Sequence, residues 1–345
     1  MDKQRNKKPA VLISRQDVEQ SEKSAPALPS GKLVRRTMLR AGRKDLANIK
    51  FDTSSPLVRQ SWHSDSKHVL CLNAYPNGIT VSQHECSEDS KFILESFQLR
   101  LRDTREFRLP KGKYYLYRDA VRTALEKHLS ALHKSGVLAR TTIYFGTVTD
   151  PFLSFRKKFD VTMACLEVIE KFKPGRLVIQ TRSPMVISAL PALKELAERS
   201  VVSIPVETIL EDSVSSYTPG LPAISERFVA ASGLRRQGVT VNLQVAPALP
   251  YGDFYKDAWK FAELLESYGD YITFGSLALG RKEEERQLKQ FAICQKLAAD
   301  KRYHFLRPYS YRNIFKALQE IAPEKLELPV REDGSKSKQL NLFAA

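Results

Sequence analysis

Residues 141–151 read TTIYFGTVTDP, a run of β-branched and aromatic residues that ends in a short turn. Such residues favour strands, and the next segment, 157–171, repeats apolar side chains at helical spacing. The stretch therefore predicts one strand, one loop and one helix. The same unit recurs along the chain. Further strands are predicted at residues 68–72, 176–180, 201–206, 239–245 and 271–274, and further helices at 120–134, 187–198, 223–237, 255–267 and 282–299.

Six such units in succession predict an α/β fold with parallel strands and right-handed crossovers. Two closures fit this order: an open doubly wound sheet, and a full or partial barrel. In both, ligands bind at the carboxyl ends of the strands, so the loops after the first three strands form the candidate site. Gly136 and Gly238 follow two of the predicted helices, where glycine favours a helix stop.

Charge and cysteine content narrow the class of protein. The 345 residues carry a net charge of +16, and residues 1–50 hold 13 Lys/Arg against 5 Asp/Glu. A cationic chain attracts polyanions, above all nucleic acid. The four cysteines are scattered, the first residues contain no apolar signal segment, and no apolar run approaches the about 20 residues of a membrane helix. We expect a cytoplasmic protein with no membrane partner.

The loop after the first predicted strand, residues 72–86, reads LNAYPNGITVSQHEC. It resembles the cluster loop of the spore photoproduct lyase-like family of radical S-adenosylmethionine proteins, which it matches at Asn73, Tyr75 and Gly78. The resemblance places the three cluster cysteines of that family at Ile79, Gln83 and Cys86. Isoleucine cannot ligate iron, a glutamine amide matches iron–sulfide chemistry poorly, and one thiolate cannot hold a four-iron cluster. We therefore expect Cys86 to be a remnant metal ligand and no iron–sulfur cluster to be bound.

Further segments resemble the same family, so the resemblance covers residues 68–280. They are TDP at 149–151, QTRS at 180–183, PGLP at 219–222 with Arg227, and APALP at 246–250. The resemblance implies a partial TIM-type barrel of about six βα units. In the family these strand ends line the pocket for S-adenosylmethionine and substrate, which implies a small-molecule site at Asp150, Arg182, Ser183 and Thr208. The alternative for Asp150 is a structural turn that caps the next helix.

Residues 97–118, before the second barrel strand, combine basic and aromatic side chains. Arg and Lys neutralise phosphates, and Tyr offers a stacking face for unpaired bases. The predicted nucleic-acid contacts are Arg100, Arg102, Arg105, Arg108, Lys111, Lys113, Tyr114 and Tyr115. The resemblance implies a DNA substrate in at least one branch, the repair of damaged pyrimidines. The alternative is an amphipathic helix and a hairpin whose tyrosines pack inward.

The end of the sequence, QLNLF at residues 339–343, resembles the short peptide by which bacterial replication and repair proteins bind their sliding clamp. In this reading Gln339 hydrogen-bonds at the rim of the clamp, while Leu340, Leu342 and Phe343 enter apolar pockets. The alternative is that the tail docks on its own barrel.

These parts predict a domain organisation and a function. We expect a basic disordered arm at 1–45, the radical S-adenosylmethionine-like barrel at 46–305, an extension and linker at 306–338 with a short helix at 311–321, and a flexible clamp-binding tail at 339–345. The predicted function is a bacterial DNA repair or damage-tolerance accessory protein, a pseudoenzyme that can still bind S-adenosylmethionine. Two alternatives remain. One is an active lyase that repairs DNA photolesions with a four-iron four-sulfur cluster and S-adenosylmethionine; the other is a DNA- or RNA-binding module without a clamp partner.

Overall fold

The computed structural model describes residues 47–51, 57–59, 69–72, 114–118, 121–146, 150–152, 156–219, 221–277 and 292–326. Its strands are β1 (Ala47–Phe51), β2 (Leu57–Arg59), β3 (Val69–Leu72), β4 (Tyr114–Arg118), β5 (Thr142–Phe145), β6 (Arg176–Gln180), β7 (Ser200–Pro205), β8 (Thr240–Val245) and β9 (Tyr271–Phe274). Its α-helices are α1 (Val121–Lys134), α2 (Arg156–Phe172), α3 (Leu190–Leu196), α4 (Glu211–Tyr217), α5 (Ile224–Arg236), α6 (Lys256–Tyr268), α7 (Ala292–Ala299) and α8 (Arg312–Ile321).

Seven of these strands form one sheet in the order β2-β3-β5-β6-β7-β8-β9. Strand β2 runs antiparallel to β3, and every other neighbouring pair in this sheet is parallel. The six parallel strands therefore lie side by side in chain order, as in a TIM-type barrel. In a doubly wound sheet, by contrast, the order of the strands reverses at a switch point. The predicted α/β fold, a partial barrel of six βα units, is confirmed. Strands β1 and β4 form a separate parallel pair.

The sheet has an aliphatic face and a polar face because its strands alternate in sequence. On the aliphatic face, Phe274 packs against Phe315 of helix α8, with ring centroids 5.5 Å apart. The same face contributes Ile143, Phe145, Leu177, Ile179, Val202, Ile204, Val241, Leu243, Val245 and Ile272 to the buried core. Helices α5 and α6 pack against β8.

The sheet curves around its polar face. Arg176 Nη2 of β6 lies 3.4 Å from the hydroxyl of Tyr271 on β9, three strands away. Neighbouring strands are about 4.8 Å apart, and Tyr271 is in register with Gln180, four residues beyond Arg176. A flat sheet would therefore separate these two backbones by about 19 Å, more than the two side chains and the contact between them span. The contact therefore places the polar face on the concave side.

Most predicted elements are confirmed within two residues, and one is divided. The helix predicted at 187–198 is a 3₁₀ turn (Pro184–Ala189), the short helix α3 and a second 3₁₀ turn (Ala197–Arg199). The first division follows from Pro191, which lacks an amide hydrogen and fits only a first helical turn, and the second falls at Ala197, whose φ of +45° is not helical. Gly136 and Gly238 end helices α1 and α5 with φ of +70° and +78°, as predicted. Within the helix predicted at 282–299, residues 282–291 lie outside the described residues.

Helix α8, predicted at 311–321, packs on α6. Its Ile314, Ala317 and Leu318 belong to the same buried core as the sheet. The domain boundaries proposed from the sequence, including the one at residue 306, stay predictions. None of the helices in the described ranges is long and apolar enough to cross a bilayer.

Candidate functional site

Asp150 follows β5 and ties its loop to the end of β6. Its Oδ1 accepts hydrogen bonds from the amide of Phe152, at 2.9 Å, and from the hydroxyl of Thr181, at 2.6 Å. Its Oδ2 accepts one from the amide of Arg182, at 2.7 Å. These three donors all come from the chain itself, so the buried carboxylate joins two neighbouring strand ends.

The end of β5 passes very close to the end of β6 at Gly146. This residue has a φ of +100°, which disfavours any residue with a side chain. A Cβ placed there would lie 2.1 Å from the carbonyl oxygen of Gln180 and 2.8 Å from Pro151 Cδ. The glycine therefore permits the close approach from which Asp150 reaches Thr181.

A buried ion-pair network continues from β6 to β7 and helix α5. Arg182 Nε lies 2.6 Å from Glu207 Oε1, and Arg227 Nη1 lies 2.6 Å from Glu207 Oε2. Arg227 also donates to the carbonyls of Pro205 and Pro222. The three charged side chains are at most 4% exposed. Burial alone would raise the pKa of Glu207, but the two arginines outweigh it and hold that pKa below the usual 4.5. Glu207 is therefore a carboxylate at neutral pH.

The two remaining predicted site residues also make internal hydrogen bonds. Thr208 Oγ1 donates to the carbonyl of Pro250, at 2.7 Å, and accepts from the amide of Leu210, at 3.1 Å. Ser183 Oγ accepts from the amide of Met185, at 3.3 Å, and so caps the 3₁₀ turn that begins at Pro184. The structure brings Asp150, Arg182 and Ser183 together and sets Thr208 next to Glu207. Their binding of a small molecule stays a prediction.

The polar layers on the concave face were not predicted from the sequence. At the amino end, Arg176 meets Tyr271. In the middle, the amide of Asn242 lies 2.9 Å from Ser203 Oγ and 3.1 Å from Thr273 Oγ1. At the carboxyl end, Gln180 Nε2 donates to Gln244 Oε1, at 3.0 Å. The signal was present in the alternation of TVNLQV and RLVIQ, because strands buried under helices on both faces are continuously apolar.

The chemistry of this concave face is hydrogen bonding, by neutral amides and hydroxyls in the middle and at the carboxyl end and by the Arg176 guanidinium at the amino end. Amides and hydroxyls can bind a polar, uncharged group, but they are neither general acids nor general bases near neutral pH. Glu207, also missed from the sequence, is the ionised acid of the network at this edge, and it already pairs with two arginines.

Known structures with a related arrangement are spore photoproduct lyases. One, complexed with dinucleoside spore photoproduct, is 16% identical at a TM-score of 0.44, over 77% of this chain and 70% of that one. A double mutant with bound AdoMet and dinucleoside spore photoproduct is 14% identical at a TM-score of 0.44, over 79% and 72%. A single mutant with dinucleoside spore photoproduct is 16% identical at a TM-score of 0.38, over 52% and 54%. This chain thus spans about half the length of that last structure.

The likeness is remote, and the strand order alone defines the fold here. No protein-family model matches the sequence. No curated protein matches it either.

That no cluster of the radical-enzyme type is bound stays a prediction. The resemblance assigns one cysteine, Cys86, where three thiolates are required. Cys165 and Cys294 are buried in helices α2 and α7, and burial raises the pKa of the Cys165 thiol to about 12. Within the described ranges, no three His, Cys, Asp or Glu side chains are grouped to hold a metal ion. S-adenosylmethionine as a ligand stays a prediction.

Several predicted contacts lie outside the described residues. Of the predicted nucleic-acid contacts, Tyr114 and Tyr115 are on β4, in register with Ala47 and Asn48 of β1. The others, Arg100, Arg102, Arg105, Arg108, Lys111 and Lys113, lie outside the described residues, as do Cys86, the arm at 1–45 and the tail residues Gln339, Leu340, Leu342 and Phe343.

Proposed function

We propose that this chain is a DNA-associated accessory protein of repair or damage tolerance in a bacterium. Its partial barrel, of radical S-adenosylmethionine type, is a scaffold without cluster chemistry, and residues 339–345 bind the sliding clamp. One observation carries the proposal: Asp150, Arg182, Glu207 and Arg227 hydrogen-bond within the chain at the edge where such barrels bind ligands. Because these side chains already bond to one another and to the backbone, they stabilise the strand ends, and this supports a structural role for the barrel.

The DNA partner is supported by charge. The net charge of +16 and the basic residues at 1–50 and 97–118 attract a polyanion without requiring a catalytic centre. Binding to duplex DNA should weaken steeply as salt is added, since each phosphate contact releases condensed counterions. Binding that does not respond to salt would contradict this part of the proposal.

The clamp partner is tested with the tail. Removal of residues 339–345 should abolish binding to a purified bacterial clamp in a calorimetric titration, and Phe343→Ala should weaken it by about 30-fold, because a buried aromatic anchor contributes about 2 kcal/mol or more. Asn341→Ala is the matched control, since the clamp peptide accepts any residue at that position. Unchanged binding after the deletion would refute the tether. DNA binding without clamp binding would favour the simple nucleic-acid-binding module.

The loss of cluster chemistry is tested by anaerobic incubation with iron and sulfide. We expect almost no bound iron, because the loop offers a single thiolate. About four irons per chain, the content of one four-iron cluster, would instead favour the active lyase. In that case Cys86→Ser should remove the iron, and the bound iron would overturn the scaffold proposal.

A further inference from the structure

Exposed aromatic rings are concentrated in one region of the described residues. The four large aromatic side chains that are exposed there are Tyr255 (76%), Trp259 (42%), Tyr303 (56%) and Tyr309 (68%). Their two segments touch: the ring centroids of Phe254 and His304 are 4.0 Å apart, and Asn313 Nδ2 donates to the carbonyl of Phe254. Scattered single exposed rings are ordinary, but a group of them marks a binding surface.

The second of these two segments is strongly basic. Residues 301–312 read KRYHFLRPYSYR, with four Lys/Arg and no Asp/Glu. Lys301, Arg307 and Arg312 are exposed, and no acidic residue of the described ranges forms an ion pair with them. We call this segment the 301–312 surface. Its cations are available to an anion from outside, and its alternation of rings and charges differs from an apolar protein-docking patch.

The 301–312 surface lies at the carboxyl edge of the sheet. The amide of Tyr309 donates to Ser276 Oγ, at 2.8 Å, and Ser276 comes two residues after β9. Phe254, which contacts the surface, lies in the loop that follows β8. This is the edge that also carries Asp150 and Arg182.

Tyr309 is held in a conformation that its side chain disfavours. Its φ is +58°, in the left-handed region, although it is not a glycine. Its ring meets Tyr311 edge-on, with centroids 6.2 Å apart, and Tyr311 packs on Phe274 of β9. Strained backbone is retained where the surroundings over-determine it, and such positions cluster at ligand-binding sites. The exposed ring is thereby preorganised on the core.

We propose that the 301–312 surface, with Tyr255, binds single-stranded DNA. Tyr303 and Tyr309 stack on unpaired bases, while Lys301, Arg307 and Arg312 contact phosphates. The choice of DNA as the polymer rests on the proposed function. The surface is distinct from the nucleic-acid contacts predicted in residues 97–118, and it adds a second set of rings that stack on unpaired bases.

The stacking is tested with a labelled thymidine oligonucleotide of about 12 nucleotides, the scale of known single-strand sites. Its affinity is compared with that of an abasic strand of equal length by fluorescence anisotropy. Wild type should prefer the strand with bases. Tyr309→Asn should weaken thymidine binding by about five- to one-hundred-fold and leave abasic binding unchanged. Asparagine tolerates the left-handed conformation, so this variant should melt at the wild-type temperature. Tyr309→Phe keeps the ring and should bind as wild type does.

The phosphate contacts are tested by the salt dependence of the same binding. Arg307→Gln and Arg312→Gln should each lower the slope of log affinity against log salt by about 0.7, the value for one single-strand phosphate contact. Arg140→Gln is the matched control, because Arg140 is an exposed arginine that precedes β5 at the opposite edge of the sheet. It should leave the slope unchanged.

The outcomes separate this inference from the proposed function. If wild type binds duplex DNA with salt dependence but Tyr309→Asn leaves thymidine binding unchanged, the 301–312 surface is not the site, and the proposed function stands. If wild type binds no DNA at all, both are overturned. If the Tyr309 and Arg307 variants lose clamp binding while DNA binding persists, the surface docks a protein and the inference is wrong.

Discussion

Replacing Glu207 by glutamine removes the one carboxylate that pairs with both Arg182 and Arg227. Both guanidinium groups stay buried, at 4% and 0% exposure, without their counter-charge. Removal of one partner from a buried ion pair typically costs 3–5 kcal/mol, since an uncompensated charge remains in a medium of low dielectric constant. The glutamine oxygen can still accept one hydrogen bond, which returns about 1 kcal/mol. With two arginines affected, we expect a loss of about 4 kcal/mol, a large share of the 5–15 kcal/mol of a typical domain.

The assay is urea unfolding at neutral pH, followed by circular dichroism. The midpoint should fall with an unchanged slope, and the melting temperature should drop by about 10 °C. Glu195→Gln is the control: Glu195 is an exposed glutamate 3.8 Å from Lys173, and its loss should change stability by less than about 0.5 kcal/mol. The double variant Glu207→Gln/Arg182→Met should lose less stability than the two single variants lose in total. The difference should exceed about 1 kcal/mol. A loss below about 1 kcal/mol for Glu207→Gln alone would refute the account of the network.

Two further predictions concern pH and the approach of β5 to β6. Because the folded pKa of Glu207 is lowered from 4.5, its contribution to the free energy of unfolding is complete above pH 4.5 and is lost as the pH falls through the folded pKa. The urea midpoint of wild type should therefore fall more steeply below pH 4.5 than that of Glu207→Gln. Equal slopes for the two proteins would contradict this. Gly146→Ala should cost about 2 kcal/mol or more in thermal unfolding, because its Cβ would meet the carbonyl of Gln180, whereas Gly233→Ala, with only an ordinary contact to Ile187, should be neutral or stabilising.

The strands of the barrel could be predicted from the sequence because each has a recognisable local pattern of residues. β6 and β9 were predicted to the residue, since their β-branched and aromatic runs are bounded by Gly, Pro or charged residues. Closure could not be predicted from local pattern, because it depends on which strands pair. The choice between an open doubly wound sheet and a partial barrel became clear only from the structure, in which the parallel strands pair in chain order and one antiparallel strand lies at the edge. Strands β1 and β2 were missed because ANIKF and LVR each contain a single β-branched residue, whereas β4 lies in the segment for which a hairpin was the alternative.

The candidate site was predicted at the correct edge but not in its contacts. Asp150 and Arg182 stood out because they follow strands, yet their partners lie 25 to 32 residues away and depend on the three-dimensional fold. Glu207 could have been found, since it comes two positions after an apolar strand, and a charged residue at a buried strand end needs a counter-charge. The strain at Tyr309 has no signature in the sequence, because tyrosine normally avoids that conformation.

The order of the strands also shapes how the molecule is made. Each parallel strand from β5 to β9 pairs with the strand that precedes it in this sheet, so every new βα unit finds its docking edge already synthesised. Chains emerge from the ribosome at about 5–20 residues per second, and contacts that are close in sequence form fastest. The barrel can therefore grow strand by strand during translation. Helices α6 and α8 come from segments on either side of β9, so the contact between them forms only when α8 has been released.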